Sequence, residues 1–199
     1  MQRPLLLASG SRIRADLLRA AGLTVTAQPA RIDEEMIRRS LNAGAAKPRD
    51  VADTLAQMKA ARIAAKNPEA LVLGCDQVLV FAGQIWSKPA TLDQARDQIK
   101  ALRGHRHSLL SALVLFDMGQ PVWRHIGEAH LTMRDVSDAY LDLYLSRNFP
   151  VISTSVGAYR LEEEGIRLFS DIEGDYFTIL GLPLVPLLSY LALRGFIPS

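Results

Sequence analysis

Apolar positions along this chain follow two kinds of pattern. Pro4-Leu5-Leu6-Leu7-Ala8 and Leu71-Val72-Leu73-Gly74-Cys75 are continuous runs without alternation, as in strands buried on both faces of a helix-covered sheet. The first run ends in Ser9-Gly10-Ser11, after which Ile13, Leu17, Leu18 and Ala21 recur at helical spacing up to Gly22. Ser11 stands at an N-cap position and Gly22 suits the C-terminal cap, so the spacing predicts strand, loop and helix in that order. Leu23 to Gln28 alternates loosely as a second strand, and Ile32-Asp33-Glu34-Glu35 opens another helical region. Pro48, suited to a first turn, begins a helix predicted to reach Lys66, where Asn67-Pro68 stops it.

The second apolar run meets a carboxylate at Asp76 and stays extended from Gln77 to Phe81 before a turn at Ala82-Gly83. Thr91-Leu92-Asp93-Gln94 has capping-box spacing and predicts a helix to Leu102, ending at Gly104. Ser108 to Phe116 and Val122 to Met133 flank the turn-forming Asp117-Met118-Gly119-Gln120 and read as an antiparallel hairpin. Ser137-Asp138 caps a helix to about Ser146; strands are expected at Val156 to Leu161 and Tyr176 to Leu180, and a final helix near Leu184 to Arg194. This mixed order, with one hairpin inside it, points to an α/β protein with a mixed sheet.

Composition adds constraints. The chain has 199 residues, 49% hydrophobic and 22% charged, enough to bury a core without covalent staples, and no repeat or linker divides residues 1–199. The single cysteine, Cys75, cannot make an internal disulfide, and no leader-like apolar region precedes the first strand, so a cytoplasmic address is expected. Ile179 to Leu193 is broken by Gly181, Pro183 and Pro186 and falls short of the ~20 residues a membrane span needs. The net charge of +2 is spread along the chain, which does not call for a nucleic-acid partner.

Two segments carry candidate chemistry. Ser9-Gly10-Ser11-Arg12-Ile13-Arg14 sets hydroxyls, a glycine and guanidinium groups at a helix N-terminus, where free N–H groups and the helix dipole favour phosphate. A serine there also serves as a simple cap. Gly74-Cys75-Asp76-Gln77, followed by Trp86-Ser87-Lys88-Pro89, puts a carboxylate at the end of a core strand. Burying it requires a cation or water. Lys88 could neutralise a phosphate leaving group, and a structural ion pair of Asp76 with Lys88 or an arginine is the alternative. Asp33-Glu34-Glu35 supplies oxygen ligands for Mg²⁺ or Mn²⁺, or a solvated helix start. The histidines match no zinc spacing, and Cys75 reads as a small buried side chain.

Taken in order, these pieces resemble the Maf family of nucleotide pyrophosphatases. The matching residues are Leu7-Ala8-Ser9-Gly10-Ser11 with Arg14 and Leu17-Leu18, Asp33-Glu34, Lys59-Ala60, Gly74 with Asp76, and Lys88-Pro89. Gly157-Ala158-Tyr159, Ile172-Glu173-Gly174 and Gly181-Leu182-Pro183-Leu184 complete the set. The resemblance implies a mixed twisted sheet with flanking helices in two lobes around a central cleft, a homodimer, and metal-dependent hydrolysis of nucleoside triphosphates to monophosphate and pyrophosphate. By the same carry-over, Asp76 is the proton acceptor, Ser9, Ser11, Arg14, Lys59 and Lys88 handle phosphate, and Glu34 with Asp76 places the metal.

Departures from the family pattern bear on the base. Arg12 and Ile13 stand where the family has proline and arginine, which removes one cationic contact. Gln77 and Glu162 resemble the branch that prefers 7-methyl-GTP. A carboxylate accepts from both donors of the guanine edge, whereas a glutamine amide matches the mixed donor and acceptor of uracil or thymine. Two other readings remain open: a pyrophosphatase for deaminated purines such as ITP or XTP, and a nucleotide-binding regulator of cell division without turnover.

Overall fold

The computed structural model describes residues 4–198. Its strands are β1 (Leu5–Leu7), β2 (Val25–Ala27), β3 (Leu71–Phe81), β4 (Gln84–Trp86), β5 (Arg106–Asp117), β6 (Gln120–Met133) and β7 (Phe169–Glu173). They form one sheet in the order β2-β1-β3-β5-β6-β7, with β4 paired to β3. β1 runs parallel to β2 and β3, while β4 on β3 and β7 on β6 are antiparallel. The helices are α1 (Arg12–Ala20), α2 (Glu34–Ala43), α3 (Pro48–Ala64), α4 (Leu92–Leu102), α5 (Asp138–Asn148), α6 (Tyr176–Ile179) and α7 (Leu184–Leu193). The mixed α/β sheet expected from the sequence is present.

Backbone contacts divide the chain into two compact units. The first contains the chain up to Gln77, Leu110–Gly127 and the stretch from Gly181 onward; the second contains Val78–Leu109 and Glu128–Leu180. In the first unit, α3 presents Ala52, Ala56, Ala60 and Ala64, one turn apart and all buried. The stripe lets α3 lie directly on β3 at Gly74, where a Cβ would stand 2.1 Å from the Ala56 carbonyl oxygen and 2.8 Å from the Ala60 Cβ. Leu7, Leu18, Leu55, Val72 and Leu73 fill the core around this contact.

In the second unit α4 packs on α5, and both start as the sequence predicts. The Thr91 and Ser137 hydroxyls accept from the N–H groups of Gln94 and Tyr140. The capping box closes one residue early, because Gln94 Oε1 accepts from the N–H of Ala90 rather than Thr91. Met118 and Gly119, with φ of 49° and 75°, make the two-residue turn between β5 and β6 that matches strand twist.

Two expectations fail, and a third, Ser11 as the N-cap of α1, holds in position only. Val156 to Leu161 is no strand but a pair of turns, since Gly157 and Ala158 adopt φ of 77° and 58°, which no strand accommodates. Tyr176 to Leu180 has strand-like composition yet forms α6, because the Asp175 carboxylate caps the Thr178 N–H at 2.9 Å. Ser11 occupies the N-cap position of α1 without a side-chain capping bond. Strand β7 is additional, and its Ser170-Asp171 hides it from a search for apolar runs.

Candidate active site

The close approach of α3 to Gly74 sets Lys59, the neighbour of Ala60, against Asp76, two residues along β3. Both are buried, at 8% and 3% exposure. Lys59 Nζ donates to Asp76 Oδ1 at 2.6 Å and lies 2.9 Å from Glu34 Oε1. Glu34 opens α2 and Arg38 follows one turn later, so both side chains leave the same helix face. Arg38 Nη2 stands 3.5 Å from Asp76 Oδ2 and 3.9 Å from Glu34 Oε2. Two carboxylates and two cations thus close a ring in which Asp76 Oδ2 has no hydrogen-bond partner.

A third cation reaches the same strand from the first turn of α1. Arg14 Nη1 donates to the carbonyl oxygen of Cys75 at 3.1 Å and to Ser9 Oγ at 3.4 Å. The Ser11 N–H also donates to Ser9 Oγ, at 3.2 Å. The guanidinium packs against Gly181, whose absent Cβ would fall 2.7 Å from Arg14 Nη2 at a φ of 85°. Arg12 instead points into solvent and pairs with Asp16 at 3.5 Å. Cys75 is fully buried, and burial pushes its thiol up to about 11, so it stays protonated and is no nucleophile at neutral pH.

The first unit therefore contains Ser9, Ser11, Ile13, Arg14, Glu34, Lys59, Asp76 and Gln77, and the Gln77 amide donates to the buried Ser111 Oγ at 2.9 Å. Lys88 and Glu162 belong to the second unit. Lys88 is exposed, on a segment held to α4 by Gln98 Nε2 donating to the Ser87 carbonyl at 2.8 Å. The run Glu162-Glu163-Glu164 is not a uniform solvated face. The Glu162 side chain is 19% exposed and 3.9 Å from Arg160 Nε, while Glu164 binds Arg147 and Asn148. Between the two readings of Asp76, the ion-pair partners it has are Lys59 and Arg38. Sequence reasoning missed Arg38 and Ser111; the Glu34-to-Arg38 spacing was the available signal for the first.

Residues 4–193 match the family described as Maf-like protein. The chain belongs to the Maf family. Among relatives of this Maf protein, one from Roseobacter denitrificans named nucleoside triphosphate pyrophosphatase is 59% identical over 198 residues, covering 100% of both chains. One of the same name from a Ruegeria species is 54% identical over 197 residues, covering 99% of each. A 7-methyl-GTP pyrophosphatase from Rhizobium meliloti is 46% identical over 199 residues, covering 100% of each. No described helix of this Maf chain is long and apolar enough to cross a membrane.

Proposed function

We propose that this Maf protein hydrolyses nucleoside triphosphates to the nucleoside monophosphate and pyrophosphate, with Asp76 as proton acceptor. The observation that carries this reading is the buried Asp76 carboxylate fixed by Lys59 at 2.6 Å, on the strand whose Cys75 carbonyl holds Arg14. The oxygen of water bonds to the α-phosphorus, its proton passes to the Asp76 carboxylate, and pyrophosphate leaves with the bonding pair. Arg14 and Ser9 would receive phosphate at the N-terminus of α1, and Lys59 would hold the acid in register while adding positive charge.

The donor set suits Mg²⁺ or Mn²⁺ of the kind delivered with a nucleotide. Such ions take one or two carboxylates and complete their shell with water and phosphate. Asp76 and Glu34 are two, and no group of three or more candidate ligands occurs among the described residues. Asp76 Oδ2, which has an ion-pair neighbour in Arg38 but no hydrogen bond, fits a ligand role. Bound there, the ion would polarise a phosphoryl oxygen and offset charge on the leaving group.

The proposal extends to a 7-methyl-GTP or other guanine-type preference. It draws on the Rhizobium meliloti relative's name and on Gln77 and Glu162, whereas Ile13 departs from the larger residue of that branch. Lys88 as a leaving-group cation rests on its place past the β3–β4 turn and on the family resemblance, a homodimer on the resemblance, and a cytoplasmic setting on the lone Cys75. A nucleotide panel with product identification tests the reading. Monophosphate and pyrophosphate in equal amounts, with Glu162→Gln lowering the ratio of 7-methyl-GTP to dTTP turnover, is expected. Diphosphate and orthophosphate would overturn the reaction class, an unchanged ratio the base assignment, and best turnover of ITP or XTP would favour the deaminated-purine reading.

A further inference from the structure

We propose that Arg38 is an exchangeable counter-ion: without nucleotide it neutralises Asp76 and Glu34 together with Lys59, and an arriving triphosphate draws it off, so that divalent cation enters only with nucleotide. The inference rests on the reading above for the identity of the ligand, and on geometry for the rest. One atom, Arg38 Nη2, is near both Asp76 Oδ2 and Glu34 Oε2, at 3.5 and 3.9 Å. A positive group thus lies beside both of the oxygens that a metal shared by the two carboxylates would use.

The two cations on the acids are held unequally. Lys59 contacts them at 2.6 and 2.9 Å, the range of short charge-assisted bonds. The Arg38 contacts are longer than that range, its Nε is buried with no hydrogen-bond partner, and its side chain is only 13% exposed. An arginine whose buried Nε makes no hydrogen bond, paired at 3.5 Å with a carboxylate oxygen that accepts none, is poorly served where it is. A pair of phosphate oxygens offers the bidentate partner that the planar guanidinium lacks here. Two anions already matched by two cations leave no net charge to attract a divalent ion. Moving Arg38 to phosphate would expose both oxygens at once.

Manganese titration of the full chain, followed by the electron paramagnetic resonance signal of free Mn²⁺, tests this without reading turnover. The nucleotide-free wild type is expected to leave Mn²⁺ free up to about millimolar concentration, and Arg38→Met to bind one Mn²⁺ at least about tenfold more tightly, because the competing charge is gone. Adding Asp76→Asn to that variant should abolish the gain. Uptake of guanosine α,β-methylene triphosphate with Mn²⁺ should weaken about tenfold in Arg38→Met, since a phosphate contact is lost. Equal Mn²⁺ binding by wild type and Arg38→Met overturns the proposal, as does submillimolar binding by the nucleotide-free wild type, a measurement that needs no variant. An arginine that only braces α2 would lower the melting temperature and leave Mn²⁺ affinity unchanged. Failure of the nucleotide panel would remove the reaction reading while leaving the Mn²⁺ comparison standing.

Discussion

Lys59 and Asp76 meet at 2.6 Å because a glycine sits where their backbones approach. Gly74 is therefore as much a site residue as the acid it precedes. Gly74→Ala must push α3 off β3, and overpacking of this kind costs about 1–3 kcal/mol. Urea denaturation should show that loss, with turnover falling further than stability alone explains because Lys59 moves with α3. An unchanged midpoint would contradict the packing argument. Asp76 was legible in the sequence because a carboxylate ending an apolar run demands a partner. Arg38 was not, because a glutamate and an arginine four apart on a helix are the common pattern of a solvated pair. Only the fold turns that face toward Asp76.

Among the elements, those with strong punctuation were readable. The Pro48 start of α3, the Thr91 and Ser137 caps, and the Met118-Gly119 turn all carry local chemistry that survives folding. Val156 to Leu161 misled because its apolar residues serve turns buried in the second unit rather than a strand. That segment is anchored to β5 by His107, whose Nε2 lies 2.7 Å from Tyr159 Oη, with Phe169 beside both rings. Burial pulls His107 down to about 4 from an ordinary 6.5. The unfolded chain then binds the proton first, so stability is full above about pH 6.5 and falls as pH drops toward 4, by about 3 kcal/mol in all. Denaturant midpoints across that window should follow this slope, and His107→Gln should flatten it. A wild-type profile that is flat between pH 6.5 and 4 would contradict the buried neutral imidazole.

At the scale of the whole molecule, the chain gathers its first-unit candidates from residues 9–14, 34–38, 59 and 76–77, all within one compact unit. The strand–loop–helix opening and the interrupted β3 made the site legible before folding, since each joins a core element to a polar end. How α2 turns its charges inward was not legible, because it depends on the packing of α2 against α3. Nor was the placement of Lys88 and Glu162 in a different unit from Asp76, which depends on how the long strands β3, β5 and β6 pass from one unit to the other. The central claim is that one acid, fixed by a lysine, takes the proton from the attacking water. Single-turnover hydrolysis by Asp76→Asn, with nucleotide affinity measured in parallel, addresses it most directly. The account predicts release of monophosphate and pyrophosphate slowed by roughly 10²- to 10⁴-fold, as loss of a general base implies, with nucleotide still bound. Turnover by Asp76→Asn at the wild-type rate, or binding without product by both proteins, would contradict it.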